Sequence, residues 1–388
     1  MRTPLLVLVA AMAYVCQASR YVLYLTGQHP VFPADVHLAD VTHVALAFMK
    51  SSSFIGKRPS TWDLFTSVES VRAKFSKNKK VAVMIAIGGW GDTNGFSAAA
   101  ASQMGRKAFA DNVKAMLDYT GADGIDLDWE YPGGNGEDYK KITNSEKSWE
   151  VGAYPKLLAE IRAAIGPDKI MSAAVPGKPV DIQVAFTKDT LADTIKHLDF
   201  VNIMTYDLFN RRDNVTMHHT GIDNSLVAID TYLTNGVPPE KANLGFAFYV
   251  KWYRTEDDCQ EPVGCKTVLM EDPKTGNDLG KSGSFSWHDK VPKDLEKSFH
   301  TALDNRVWDN DGNYYWDVEE KIFWSWDTPA SMAEKFPIIV KSRKLGGVFA
   351  WGLGEDADAF LHLKTLNALY RKYLKPKPKS TRTPKDEL

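Results

Sequence analysis

Three carboxyl groups stand two residues apart within the stretch GADGIDLDWEYPGG, residues 121–134. Asp126, Asp128 and Glu130 alternate there with apolar residues, which is the period of a β-strand, so the three acids share one face. Carboxylates held this close raise one another's pKa, and one member of the group stays protonated. A protonated carboxyl group can act as a general acid. The spacing therefore predicts proton-transfer chemistry, with Asp126 and Asp128 sharing a proton and Glu130 acting as the acid.

Eight short apolar or β-branched runs recur along the chain, and helical patterns such as RKAFADNVKAMLDYT from Arg106 lie between them. This alternation predicts an α/β fold, a (β/α)8 TIM barrel, rather than an open doubly wound sheet. A barrel needs about 250 residues, and the excess is concentrated between the seventh and eighth strands, at about 251–327. We expect this insertion to form a small α+β subdomain. The eight runs begin at Tyr21, Thr42, Val81, Gly124, Ile170, Phe200, Asn243 and Gly346.

The expected position of the three acids in the barrel follows from the strand that carries them. Active sites of such barrels are built at the carboxyl-terminal ends of the strands. Glu130 is the last acid of the predicted fourth strand, just before YPGG turns the chain outward. We therefore expect the acidic face to look into the barrel, with Glu130 nearest its mouth. Ile125 and Leu127 are expected to pack under the surrounding helices.

Four motifs resemble those of glycoside hydrolase family 18, the chitinases and their relatives. They are the D-x-x-D-x-D-x-E signature at 123–130, AIGGW at 86–90, MTYD at 204–207, and Trp351 at the end of the eighth strand. The resemblance runs from about Tyr21 to Leu374, which implies a family domain over 19–374. The insertion ending in FWSWD looks like the subdomain of the chitinase branch.

The resemblance implies a substrate-assisted retaining mechanism without cofactor or metal. Glu130 would protonate the glycosidic oxygen while the substrate's own 2-acetamido carbonyl attacks the anomeric carbon. Asp128, with Asp126 behind it, would orient the acetamide nitrogen, and Tyr206 would hydrogen-bond the acetamide oxygen. The implied substrate-binding residues are Tyr24, Phe48, Gly89, Trp90, Tyr131, Met204, Asp207 and Trp351.

The chain departs from the family pattern at two positions. Ala86 stands where the family often has a serine, which removes a hydroxyl that would hydrogen-bond the lower aspartate. Lys251 occupies the position of an arginine, so a planar bidentate donor becomes a point charge. The first expectation for function is an endo-acting chitinase that cleaves β-1,4 links between N-acetylglucosamine units. The alternatives are an endo-β-N-acetylglucosaminidase acting on N-glycans and a chitin-binding lectin, which Glu130 disfavours.

The two termini carry targeting signals. Residues 1–18 have the composition of a secretory signal peptide, and no other stretch approaches transmembrane length. Residues 375–388 form a basic, proline-rich tail that ends in KDEL, the address read by the endoplasmic-reticulum retrieval receptor. We expect residence in the endoplasmic-reticulum lumen as a monomeric glycoprotein. The formal net charge of -2 gives no reason to expect a nucleic-acid partner.

The remaining candidates concern the insertion and the loop after the sixth strand. Cys259 and Cys265 are expected to form a disulfide in an oxidising compartment, and Asn214 lies in the sequon N-V-T. His218 and His219 are interpreted as part of a cleft rim or a solvated loop, because no third metal ligand is found for them. Residues 309–320 resemble a calcium loop, but the glycine falls too early, and a hairpin is favoured.

Overall fold

The computed structural model describes residues 19–256, 259, 261–357 and 359–376. The predicted signal peptide and the KDEL sequence lie outside the described residues. Eight parallel strands close into a barrel in the order β1–β2–β3–β4–β5–β6–β7–β13, with β13 pairing back to β1. These strands are β1 (Arg20–Thr26), β2 (His43–Met49), β3 (Ala82–Gly88), β4 (Gly124–Asp128), β5 (Ile170–Pro176), β6 (Phe200–Met204), β7 (Ala242–Ala247) and β13 (Gly347–Trp351). The predicted TIM barrel is confirmed.

Helices surround the barrel and follow most of its strands. Several begin with a capping side chain: Ser102 accepts from the N–H of Gly105, and Thr328 accepts from that of Ser331. The α-helices are α1 (Val68–Lys74), α2 (Asn94–Ala100), α3 (Gln103–Thr120), α4 (Asn144–Lys147), α5 (Trp149–Ile165), α6 (Pro179–Ala185), α7 (Leu191–Ile195), α8 (Ile222–Thr234), α9 (Glu296–Asp304), α10 (Pro329–Lys335) and α11 (Leu361–Tyr373). No helix in the described part of the chain is long and apolar enough to cross a membrane.

Strand β4 separates two apolar layers. Ile125 and Leu127 belong to the large cluster between the strands and the helices, as their alternation predicts. A smaller cluster, which includes Met84 and Phe349, fills the barrel interior. Asp126, in the register between Ala86 of β3 and Ser172 of β5, is completely buried on this inner side.

The strand that was predicted to run through Glu130 is shorter. Its pairing with β5 stops at Leu127 and its pairing with β3 stops at Asp128, so Trp129 and Glu130 follow the strand rather than end it. Trp129 is buried, and its ring stacks on Phe96 at a centroid distance of 5.3 Å. The apolar contact holds the segment in place, so Glu130 reaches the barrel mouth without a place in the sheet.

The insertion is a five-stranded antiparallel sheet beside the barrel, in the order β10–β11–β12–β8–β9, with α9 packed on it. Its strands are β8 (Tyr249–Arg254), β9 (Ser282–Ser286), β10 (Val307–Trp308), β11 (Asn313–Asp317) and β12 (Ile322–Trp326). The first strand begins two residues before the predicted boundary. Strands β10 and β11 pair as the expected hairpin. Cys259 and Cys265 form the predicted disulfide, with their Cα atoms 5.3 Å apart.

The loop after β6 differs from the expectation. His218 and His219 are almost fully buried, at 1% and 0% exposure, so the interpretation as a solvated loop is wrong. His218 Nε2 lies 2.8 Å from Asp309 Oδ2, and the N–H of His219 donates to Ser325 Oγ. Contacts with the insertion, which the sequence alone does not reveal, therefore bury this loop. The side chain of Asn214 in the same loop is exposed.

Candidate active site

A cleft of about 1010 Å³ opens at the carboxyl-terminal end of the barrel. Every predicted catalytic or substrate-binding residue lines it except Asp126, which lies one layer deeper. The predicted residues that line the cleft are Tyr24, Phe48, Gly89, Trp90, Asp128, Glu130, Tyr131, Met204, Tyr206, Asp207 and Trp351. The residues that the motifs singled out are thus brought together from six different strands.

Asp126 is held by three donors at the floor of the cleft. The hydroxyl of Tyr24 donates to Oδ2 at 2.6 Å, that of Ser172 to Oδ1 at 2.5 Å, and the amide of Asn202 to Oδ1 at 3.4 Å. Burial raises the pKa of Asp126, and the three donors oppose the rise. The hydroxyl that was expected to be missing because of Ala86 is therefore supplied from the opposite neighbouring strand, by Ser172.

Asp128 lies above Asp126 and is almost fully buried. Burial raises its pKa well above the ordinary value, and the charges of Glu130 and Asp126 raise it further. Its Oδ1 atom is buried and has no hydrogen-bond partner among the described residues. A buried carboxylate oxygen without a donor is costly, so the geometry suits a ligand that brings an N–H group to this position.

Gly88 and Gly89 allow the end of β3 to approach the backbone of Asp128 and the ring of Phe48. Both have positive φ angles, +111° and +93°. A Cβ atom at 88 would lie 2.2 Å from the backbone oxygen of Asp128, and one at 89 would lie 2.6 Å from the ring of Phe48. Only glycine fits at these two positions.

Glu130 has the electrostatics that a general acid requires. Burial raises its pKa to about 7, and the charges of Asp207 and Asp181 add to the rise, while Tyr131 and Arg212 oppose it. A carboxyl group with a pKa in this range is substantially protonated near neutral pH and can still release its proton. The raised pKa agrees with the role predicted from the spacing of the three acids.

Asp207 is held on the cleft wall by groups from the insertion. Tyr249 donates to its Oδ1 at 2.7 Å, and the ammonium group of Lys251 lies 2.9 Å from the same atom. Burial opposes ionisation, but Lys251 and the nearby His219 hold the pKa of Asp207 well below its usual range. Lys251 therefore keeps a cation beside Asp207, although the fork of an arginine is absent.

Aromatic rings form the apolar part of the wall. The rings of Phe48 and Trp351 stack at 5.4 Å with an interplanar angle of 24°, and Tyr24 packs against Trp351 at 5.5 Å. Tyr206 lies edge-on to Phe349 at 5.8 Å. Trp90 is 46% exposed at the rim. The exposed rings among them, those of Trp90 and Phe48, are suited to stack on sugar faces.

Several residues in and below the cleft were missed by the motifs. Arg212 lines the cleft and pairs with Asp181 through both carboxylate oxygens, at 3.2 and 2.7 Å. Ser172 and Asn202 reach Asp126 from β5 and β6. The available signal for the latter two was a polar residue at an inward-facing position of an otherwise apolar strand. Arg212 lies in a loop and gave no such signal.

Comparison with known proteins agrees with this geometry. The chain is 27% identical over 353 residues to Chitinase 1 of Aphanocladium album, covering 82% of this chain and 76% of that protein. A chitinase from Rhizomucor miehei superposes with a TM-score of 0.71 at 23% identity, over 90% of this chain and 99% of that one. A family 18 chitinase from Cycas revoluta, solved in complex with (GlcNAc)3, superposes with a TM-score of 0.66 at 21% identity, over 91% and 100% of the two chains. At these identities the two structures establish the shared fold.

The barrel, the insertion and the acidic cleft are those of a glycoside hydrolase. Residues 20–356 match the sequence profile of Glycosyl hydrolases family 18. The match covers most of the 388 residues, and the chain belongs to this family.

Proposed function

We propose that the protein is an endo-acting chitinase that hydrolyses β-1,4 links between N-acetylglucosamine units. The observation that supports this most directly is the pairing of two carboxyl groups with different tasks. Glu130 has a pKa of about 7, and beside it Asp128 offers a buried oxygen that lacks a donor within the described part of the chain. An acid next to an acceptor for an amide N–H fits a sugar that carries a 2-acetamido group.

The proposed reaction proceeds in two steps. Glu130 donates its proton to the glycosidic oxygen, the glycosidic bond breaks, and the acetamido carbonyl oxygen bonds to the anomeric carbon. Asp128 accepts the acetamide N–H and so orients the carbonyl and stabilises the positive charge that develops. Tyr206 donates a hydrogen bond to the acetamide oxygen. Water, deprotonated by the Glu130 carboxylate, then opens the oxazolinium ion with net retention.

The size and wall of the cleft support internal cleavage of a polymer. The cleft of about 1010 Å³ is at the upper limit of an ordinary small-molecule pocket. Trp90 and Phe48 line it and are 46% and 36% exposed, so their rings offer stacking faces for sugars. The insertion contributes β9 residues, including Ser284, to the same wall.

The product profile on defined N-acetylglucosamine oligomers tests the proposal. We expect the protein to cut tetramers and longer oligomers at internal links and to release the β-anomer first. Glu130→Gln should abolish turnover and retain oligomer binding, whereas Glu334→Gln, which changes an exposed glutamate on α10, should leave turnover unchanged. An initial α-anomer would contradict the substrate-assisted route. Release of intact glycans from a glycoprotein without oligomer cleavage would favour the endo-β-N-acetylglucosaminidase, and binding without any cleavage would favour the lectin.

We also propose that the protein resides in the lumen of the endoplasmic reticulum. The proposal rests on the apolar run in residues 1–18, the KDEL sequence at 385–388 and the sequon at Asn214. In a cell line that secretes, deletion of residues 385–388 should move the protein into the medium. A full-length protein that is secreted to the same extent would contradict retention.

A further inference from the structure

A column of buried polar side chains runs through the barrel interior below Asp126. Arg20, at the amino-terminal end of β1, donates from Nε to Asn243 Oδ1 at 3.0 Å. Asn243 donates from Nδ2 to Asn202 Oδ1 at 2.9 Å. Asn202 then donates from Nδ2 to the hydroxyl of Tyr24 at 2.8 Å and to Asp126 Oδ1 at 3.4 Å. All five residues are at most 4% exposed.

The donor-to-acceptor direction of the hydrogen bonds in this column follows from the chemistry of Arg20. A guanidinium group has only donors, whereas an amide has an oxygen that accepts and a nitrogen that donates, and its two orientations have nearly the same shape. Arg20 can be paired only with the oxygen of Asn243, which leaves the nitrogen of Asn243 for Asn202. The oxygen of Asn202 is thereby occupied, and its nitrogen must face Asp126.

The hydrogen bonds at the Asp126 end of the column follow from the same donor and acceptor requirements. The Tyr24 hydroxyl accepts from Asn202 and so directs its own hydrogen to Asp126. Ser172 supplies the third donor. Asp126 therefore receives donors at both carboxylate oxygens, an arrangement that favours the ionised form of a carboxyl group.

The base of the column is anchored independently of Asp126. Arg20 also donates from Nη2 to the backbone oxygen of Glu240, and its guanidinium carbon lies 5.0 Å from the centre of the Phe200 ring. A Cβ atom at Gly347 would lie 2.5 Å from Asn243 Oδ1, so glycine in β13 leaves the space that this amide oxygen occupies. The contacts hold both members of the first hydrogen bond.

We propose that Arg20 and Asn243 are positioning residues, which orient the Asn202 amide so that Asp126 faces only hydrogen-bond donors and remains the ionised member of its pair with Asp128. The consequence for the reaction rests on the proposed function. With Asp126 ionised, the proton that the pair shares stays on Asp128, and the Asp128 oxygen that has no partner among the described residues is left to accept the acetamide N–H. No motif singled out these residues, because they lie at the opposite end of the barrel from the cleft.

The other groups around Asp126 do not replace the column. Among the described residues, the titratable groups that interact with Asp126 are Asp128 from β4, Tyr24 from β1, Tyr206 from the segment after β6 and Tyr154 from α5. Glu130 acts on Asp128, whose pKa it raises. The inner positions contributed by β2, β3, β5, β7 and β13 are the uncharged Ala45, Ala86, Ser172, Asn243 and Phe349. Burial and the charge of Arg20 lower the pKa of His43, at the base of β2, to about 4. The side chain of His43 is therefore uncharged near neutral pH.

The pH profile of kcat/KM on an N-acetylglucosamine oligomer tests the proposal. The Asn202 donor lowers the pKa of Asp126, so its loss should move the acid limb to higher pH. We expect Asn243→Ala and Arg20→Gln each to shift that limb upward by about half a unit to one unit. This is less than an ordinary hydrogen bond to a charged group would give, because the Asn202 donor lies 3.4 Å from Asp126 Oδ1. Arg20→Lys, whose side chain also has hydrogen-bond donors and no acceptor, should keep the parent pH profile. The matched control is Asn112→Ala, which removes an equally buried amide that bonds to the backbone of Phe54.

The outcomes separate the column from simpler explanations. An unchanged profile for Asn243→Ala overturns the proposal, even if Arg20→Gln shifts the limb, because a through-space charge would then be the cause. A shift in Arg20→Lys equal to that in Arg20→Gln also overturns it. A neutron crystal structure of the unmodified protein tests the orientation without variants or turnover. Deuterons on the Asn202 nitrogen that faces Asp126 support the proposal, and the Asn202 oxygen facing Asp126 refutes it. Parent protein that cleaves no oligomer would refute the proposed function and leave this structural test in force.

Discussion

The hydroxyl of Ser172 is expected to control the acid limb of the activity profile. Ser172 reaches Asp126 from β5 at 2.5 Å, and Ala86 faces the same carboxylate from β3 without a donor. We predict that Ser172→Ala moves the acid limb of kcat/KM to higher pH. The donor stabilises the ionised carboxyl group, so its removal raises the pKa of Asp126, and more acidic solutions then protonate the group that must stay ionised.

The size of the shift can be worked from the geometry. A hydrogen bond to a charged group contributes about 1.5–3 kcal/mol, and one pKa unit corresponds to about 1.4 kcal/mol. Loss of the Ser172 donor should therefore raise the acid limb by about one to two units. Tyr24 and Asn202 remain as donors, so the change should lie toward the lower end of this range.

A rescue variant makes the prediction specific to Asp126. In the Ser172→Ala background, Ala86→Ser places a hydroxyl on the other strand that flanks Asp126, and we expect it to return the limb toward the parent position. The assay is initial-rate hydrolysis of an N-acetylglucosamine oligomer across the pH range. Ser225→Ala is the control, since it removes an equally buried hydroxyl on α8 that donates to the backbone oxygen of Gly221. A folded Ser172→Ala protein with the parent acid limb would refute the reasoning.

Three further predictions concern Glu130 and Lys251. Because the pKa of Glu130 is about 7 and the acid must be protonated, kcat/KM should fall as pH rises through about 7; activity that persists undiminished to about pH 9 would contradict this. Burial raises the folded-state pKa of Glu130 from 4.5 to about 7. The contribution of Glu130 to the free energy of unfolding is therefore fully present below pH 4.5 and is lost as the pH rises through about 7. Urea unfolding should then show Glu130→Gln to be more stable than the parent at about pH 8, by at most about 3 kcal/mol, with no gain at about pH 4; a pH-independent difference would count against the burial of this carboxyl group. Lys251→Met should raise the pKa of Asp207 and lower kcat/KM about tenfold, because Asp207 loses the cation beside it. Lys251→Arg should retain most of the activity. Equal losses of activity in the two variants would show that the charge at position 251 does not matter.

Local patterns determine the barrel and much of its site. The alternation around Asp126 separates an inner face from an outer face, and the structure places Ile125 and Leu127 in the outer layer as predicted. Such a pattern depends on residues that are neighbours in the sequence, and it is therefore legible without a structure.

Contacts between distant segments are decided only by tertiary structure. Whether Ala86 deprives Asp126 of a donor depends on the register of β5, which brings Ser172 beside it. The burial of His219 depends on how the insertion packs against the loop after β6. Strand length is also set by pairing, since β4 ends where its pairing with β3 and β5 ends, before Glu130.

The acidic stretch 121–134 combines properties that the sequence determines with properties that only the tertiary structure determines. Its spacing alone predicts three carboxyl groups with shared protons, because strand period and charge repulsion are local properties. The tasks of the three acids are set by surroundings that come from other strands. Asp126 receives donors from β1, β5 and β6, Asp128 keeps an oxygen without a partner among the described residues, and burial raises the pKa of Glu130. Hydrogen bonds and burial depend on the closed barrel, so only the folded chain assigns each acid its protonation state.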